Sequence, residues 1–81
     1  MIPKHILQQY PKEDWEIMQK SQKELQVFNN ITGIKCSKRE LKKEDPETYY
    51  SWLYRATFHM TAVRLINGRE YMFKNLYNFT N

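Results

Sequence analysis

Cysteine is nearly absent from this 81-residue chain: Cys36 stands alone, so no disulfide can close within it. A lone thiol fits a reducing compartment better than secretion. Glycine is equally scarce, with only Gly33 and Gly68. Two glycines so far apart exclude a glycine-rich phosphate loop. With only three prolines besides, the composition argues against a disordered linker protein. No apolar run approaches the length of a membrane span. The opening Met1-Ile-Pro-Lys-His-Ile-Leu is too short and too polar for the core of a secretory signal. The expectation is a cytoplasmic protein with no membrane contact. His5, Cys36 and His59 are widely separated and form no CxxC or HxxxH spacing, so neither a metal nor a cofactor is expected. Cys36 reads as a packed residue rather than a nucleophile. Glu13, Asp14 and Glu16 read as first-turn helix charges rather than a catalytic carboxylate pair. The expectation is therefore not an enzyme.

What is present is local and specific. Asn67-Gly68 is the commonest pair for a two-residue type I′ hairpin loop, which needs φ > 0 at both positions. Such a loop sets Ile66 opposite Arg69. It also sets Ala62 opposite Phe73, Met60 opposite Asn75, Phe58 opposite Tyr77 and Ala56 opposite Phe79. That face is nearly all apolar. The other face pairs Thr61 with Lys74, Thr57 with Asn78 and Arg55 with Thr80. Turn chemistry and binary pattern agree, and a slip of one residue destroys the agreement.

The segments follow from these signals. Residues 1–10 read as a short arm or one helical turn, with Pro3 suited to N1 and Ile6, Leu7 and Tyr10 able to pack on the core. Residues 11–29 read as the main helix, with Pro11 at N1, acids in the first turn and Trp15, Met18, Leu25 and Phe28 at helical spacing. Asn29, Asn30 and Gly33 supply stop signals. Residues 31–48 form a basic connector in which Ile34 and Cys36 suit a short edge strand. Within it, Ser37 and Glu40 make a capping box for a short helix through Lys43. Residues 49–79 read as a long β-hairpin, because Trp52, Tyr54, Ala56, Phe58, Met60 and Ala62 alternate with polar residues. A rival reading stays open there. Asp45-Pro46-Glu47 is a good helix start, and Tyr49, Leu53, Ala56, Met60 and Val63 fall at helical spacing. The expected fold is a single small α+β domain: one amphipathic N-terminal helix on a small antiparallel sheet built around the C-terminal hairpin.

The formal net charge of +4 is unevenly spread. Residues 1–30 are neutral, whereas residues 49–81 carry Arg55, Arg64, Arg69 and Lys74 against Glu70 alone, together with nine of the twelve aromatics. Cations with rings suit nucleic acid, where phosphates need neutralising and bases stack. They equally suit a protein interface. Lys35, Lys38, Arg39, Lys42 and Lys43 form the densest basic cluster. It either tracks a phosphate backbone or, the reading favoured for a mixed charge run, is a solvated face in which Glu40 and Glu44 neutralise Lys42, Lys43 and Arg39 locally. Arg64 is expected to contact Tyr71, and Trp15 and Phe28 to lie in the core. If residues 49–66 are a strand, Trp52 and Tyr54 extend past the partner strand and are available to a partner.

The leading expectation is non-catalytic binding of nucleic acid or a nucleic-acid-associated protein through Lys35, Lys38, Arg39, Lys42, Lys43, Arg55 and Lys74, with Trp52 and Tyr54. The alternative is an inhibitor that blocks a host protein. A helix-turn-helix regulator is a third reading if residues 46–66 are helical. The small size, single thiol and Lys/Asn/Tyr/Ile-rich composition are similar to those of many small bacteriophage early proteins, which commonly redirect host machinery. No motif carries that similarity. A homodimer is compatible with the sequence.

Overall fold

The computed structural model describes residues 2–76. In chain order its elements are α1 (Lys4–Leu7), α2 (Lys12–Gln22), β1 (Leu25–Asn29), β2 (Lys35–Cys36), α3 (Lys38–Glu44), α4 (Pro46–His59), β3 (Thr61–Ile66) and β4 (Arg69–Asn75). The strands form one antiparallel sheet in the order β2-β1-β4-β3. The fold is α+β, as expected, but two segments differ from the sequence reading.

The first is residues 46–59, which form helix α4 rather than a strand. Asp45 caps it, its carboxylate accepting from the Thr48 N–H at 3.2 Å, and Pro46 occupies the first turn. Its buried residues Tyr49, Trp52, Leu53, Ala56 and Thr57 recur at helical spacing. The apparent alternation arises because Tyr54 and Phe58 lie half-buried on the flank of this stripe. Tertiary burial outweighs the β propensity of Thr, Tyr and Phe. The helix stops at Met60, which takes φ 68° and turns the chain directly into β3. The hairpin is therefore shorter than expected, but its register is as the turn required. Asn67 and Gly68 have φ 51° and 78°, and the pairs run from Ile66↔Arg69 to Thr61↔Lys74. The Met60 carbonyl then accepts from the Asn75 N–H at 2.8 Å. Beyond it Arg55, Ala56, Thr57 and Phe58, expected to continue the hairpin, are helical instead. Their expected partners Tyr77, Asn78, Phe79 and Thr80 lie outside the described residues.

The second difference is at residues 25–29, where the expected long helix gives way to strand β1. Leu25 and Val27 point into the core, while Gln26 and Phe28 face the other way. The residues read as a helix stop instead build a hairpin loop. Asn29 Oδ1 accepts from the N–H groups of Ile31 and Thr32 at 2.9 and 3.1 Å, and Gly33 takes φ 73°. Phe28, expected beside Trp15 in the core, is half-buried on the opposite sheet face, in line with Met72 and Val63.

The core lies between the helices and one sheet face. Trp15 and Met18 of α2 and Tyr49, Trp52, Leu53 and Ala56 of α4 meet Leu25, Val27, Ile66, Tyr71 and Phe73 of the sheet. Leu41 fastens α3 to this cluster and Ile6 fastens α1. Each large side chain so buried contributes roughly 1.5–3 kcal/mol. Ser21, which interrupts the α2 stripe in the sequence, is itself buried. Its hydroxyl lies 2.9 Å from that of Thr57, joining α2 to α4.

Candidate nucleic-acid interface

Helix α3 carries most of the basic cluster. Ser37 caps it, accepting from the Glu40 N–H at 3.4 Å, as the capping-box pattern implied. Leu41 is the residue that points inward. A turn of 3.6 residues then sorts the remaining side chains into flanks. Lys38 and Lys42 share one flank, Arg39 and Lys43 the next, and Glu40 and Glu44 a third. The structure sets the acidic flank on a different hollow from the two basic ones. Lys38, Arg39 and Lys42 line an open groove of about 690 Å³ with Lys23, Gln19, Gln22 and Ser37. Arg39, Lys42 and Lys43 line a second hollow beside Pro3, Pro46 and Tyr50. Neither is lined by a carboxylate. Glu40 and Glu44 instead line a separate cavity with Asn29, Cys36, Arg69 and Tyr71. Glu44 accepts from the Asn67 side chain in the hairpin turn at 2.7 Å. Glu40 and Glu44 thus line a different hollow from Arg39, Lys42 and Lys43.

Two of the bases also have structural partners. Lys38 Nζ donates to the Gln22 carbonyl at 2.8 Å, capping the C-terminal end of α2. Lys42 Nζ stands 5.7 Å from the centre of the Tyr49 ring. Partial burial lowers the Lys38 pKa, and the charges of Lys42 and Lys35 add to that shift against a smaller opposing effect of Glu24. Positive charge is therefore crowded at this end of the molecule. Lys35 is exposed on the short strand β2, immediately before α3.

The other sequence candidates lie elsewhere. Lys74 is exposed on β4, paired in register with Gln26 and Thr61. Arg55 is exposed on α4, 5.7 Å from the Trp52 ring centre. Trp52 itself is only 4 % exposed, and Tyr54 is half-buried and stacked on Tyr10 at 4.4 Å. The unpaired overhang expected for these two rings does not exist, because both belong to a packed helix. Arg64 is in register with Tyr71, but its guanidinium lies over the Trp52 ring, 3.3 Å from the centre. Lys23 was not singled out in the sequence. It reaches the groove only because α2 ends beside α3.

Among the described residues no three His, Cys, Asp or Glu side chains converge in a metal-binding group. No helix there is long and apolar enough to cross a membrane. No protein-family model matches this chain, and neither a curated protein nor a solved structure matches it.

Proposed function

We propose that this protein is a non-catalytic, cytoplasmic binding protein whose basic ridge, running from Lys23 and Lys35 across Lys38, Arg39, Lys42 and Lys43, contacts the phosphates of a nucleic acid or nucleoprotein. The observation that carries the reading is the separation of charge on α3. Its bases line open hollows without acids, while Glu40 and Glu44 are turned toward the hairpin. Lysines and arginines that neutralise phosphates release counterions, so affinity should fall steeply with salt. The test is binding to generic DNA and RNA across a salt series. It compares the natural protein with a variant changing Lys38, Arg39, Lys42 and Lys43 to Gln. The slope of log affinity against log salt should flatten by about 2–4 units if each base makes one phosphate contact. Equal binding by the two proteins at low salt would overturn the reading. Because Lys38 caps α2, the thermal midpoint of the variant is measured alongside.

A further inference from the structure

The two edges of the sheet are unlike. On one side β2 ends the sheet with two residues only. On the other, β3 presents six, Thr61 to Ile66, with no proline or glycine among them. In a two-residue hairpin the residues flanking the turn form a hydrogen-bonded pair, and such pairs alternate along the ladder. Ile66, Arg64 and Ala62 therefore direct their backbone groups at β4, consistent with the Met60–Asn75 bond in the same phase. Thr61, Val63 and Leu65 direct their N–H and C=O groups outward, where no strand pairs with β3 among the described residues. Natural edge strands of this length are usually blunted by bulges, prolines or projecting charges. Here the single charged residue, Arg64, lies down on Trp52 instead.

The side chains around this edge have a definite pattern. On the open sheet face Val63 and Leu65 are 43 % and 63 % exposed. On the helix side Arg55 and Arg64 flank Trp52, beside a hollow of about 250 Å³ that also touches His59 and Ala62 and is lined by no carboxylate. Arg64, Trp52 and Leu65 also line a neighbouring hollow that holds one carboxylate, Glu47. Arg55 and Arg64 have no ion-pair partner among the described residues.

We propose that the outer edge of β3 accepts an extended acidic segment of a partner protein, which adds to the sheet as a fifth strand. The recognition mode is β-augmentation. Main-chain bonds would form at Thr61, Val63 and Leu65. Side chains of the segment alternate between the two faces. Those on the helix side would be carboxylates meeting Arg55 and Arg64, and those on the open side would be apolar, covering Val63 and Leu65. A second copy of this chain fits less well. Antiparallel self-pairing about Val63 would bring Arg55 and Arg64 of both copies together at the twofold axis. A nucleic acid could meet the arginines but offers no strand to complete the ladder. This site is at the opposite edge of the sheet from the α3 groove, and the two readings stand or fall separately.

The experiment uses the full chain and a labelled short peptide alternating Glu with Val. Controls are a peptide of the same composition with its Glu and Val in separate blocks, and a single-stranded oligonucleotide. The alternating peptide should bind, and the block peptide should bind at least roughly tenfold more weakly, since it cannot place charge on one face only. In amide exchange, the N–H groups of Thr61, Val63 and Leu65 should become protected when the alternating peptide is added. Val63→Pro removes one outward donor at an edge position that tolerates proline, and should weaken binding roughly tenfold. Arg55→Gln with Arg64→Gln should do the same and flatten the salt dependence. The proposal is overturned by absent binding at millimolar peptide, by equal binding of alternating and block peptides, or by unchanged exchange at the three amides. Competition by the oligonucleotide at equal affinity would overturn it too. So would a dimer in sedimentation that Val63→Pro dissolves, since a second copy would then be the occupant.

Discussion

At the scale of single residues, two positions carry more than their size suggests. Gly68 sits at φ 78° with no atom within 4 Å of where a Cβ would be built. Any cost of a side chain there is backbone strain rather than collision. Gly68→Val should therefore destabilise the protein by about 1–3 kcal/mol, because a β-branched residue resists positive φ. An unchanged thermal midpoint would count against the type I′ turn. Ser21 and Thr57 are the second case. Ser21 Oγ donates to the Met18 carbonyl at 3.1 Å, which leaves it to accept from the Thr57 hydroxyl inside the core, where an unpaired hydroxyl is costly. Ser21→Ala should cost roughly 1–3 kcal/mol by leaving Thr57 unpaired. Adding Thr57→Val should recover part of that loss, giving a coupling of at least about 0.5 kcal/mol in a double-mutant cycle. Additive losses in urea melts would show that the two hydroxyls do not act as a pair. Ser21 was hidden in the sequence because a serine in an apolar stripe reads as an interruption. Only the opposing Thr57 makes it a core residue.

At the scale of elements, Asp45 joins two helices. It ends α3, its N–H donating to the Leu41 carbonyl at 3.0 Å, and its carboxylate starts α4. Asp45→Ala should cost about 1 kcal/mol, and Asp45→Asn much less, since Asn also caps well. Guanidinium melts of the two variants compare them directly, and equal losses would remove the cap from the account. The same residue explains what the sequence reading could and could not see. Asp45-Pro46-Glu47 was legible as a helix start, and the turn at Asn67-Gly68 fixed the register of β3 and β4. Between them, Trp52 to Ala62 satisfies period 2 and period 3.6 together, so pattern alone does not decide. The decision comes from Trp15, Met18 and Phe73, which need a helical stripe to pack against. Strand β1 was harder. Leu25 and Phe28 continue the helical spacing of α2, and β1 becomes a strand by pairing with β4, far along the chain. The short strand β2 and helix α3 were readable because their signals, Ile34/Cys36 and Ser37/Glu40, are local.

At the scale of the whole molecule, the charges fall into two territories at opposite sheet edges: the lysine-rich ridge near β2 and the arginine pair beside β3. The part of the ridge within residues 35–43 was legible because it is one stretch of chain, whereas Lys23 was not, because it joins only where α2 ends beside α3. The separate flank of Glu40 and Glu44 follows from helical spacing once Ser37 is taken as the cap. The arginine pair was not, because Arg55 and Arg64 meet only where α4 passes under β3. Between these territories lies a centre that depends on two neutral phenols. Burial raises the pKa of Tyr49 well above the usual tyrosine range, with the Gln22 side chain near its hydroxyl acting in the opposite sense. Burial raises that of Tyr50 as well. A tyrosine whose folded pKa exceeds its unfolded value, about 10, contributes fully below that pH and less as the pH rises above it. Stability should therefore hold through neutral pH and fall beyond about pH 10. Lys38 works in the opposite sense: its folded pKa is lowered, so the cost of keeping it charged is relieved as the pH rises. Tyr49→Phe isolates the phenol. At neutral pH this variant should lie within about 1 kcal/mol of the natural protein, since it removes a buried hydroxyl with no well-formed hydrogen bond. Above about pH 10 it should lose less stability than the natural protein does. Urea melts on both sides of that pH measure the difference, and an equal alkaline loss in the two proteins would show that the buried phenol of Tyr49 is not what limits the fold at high pH.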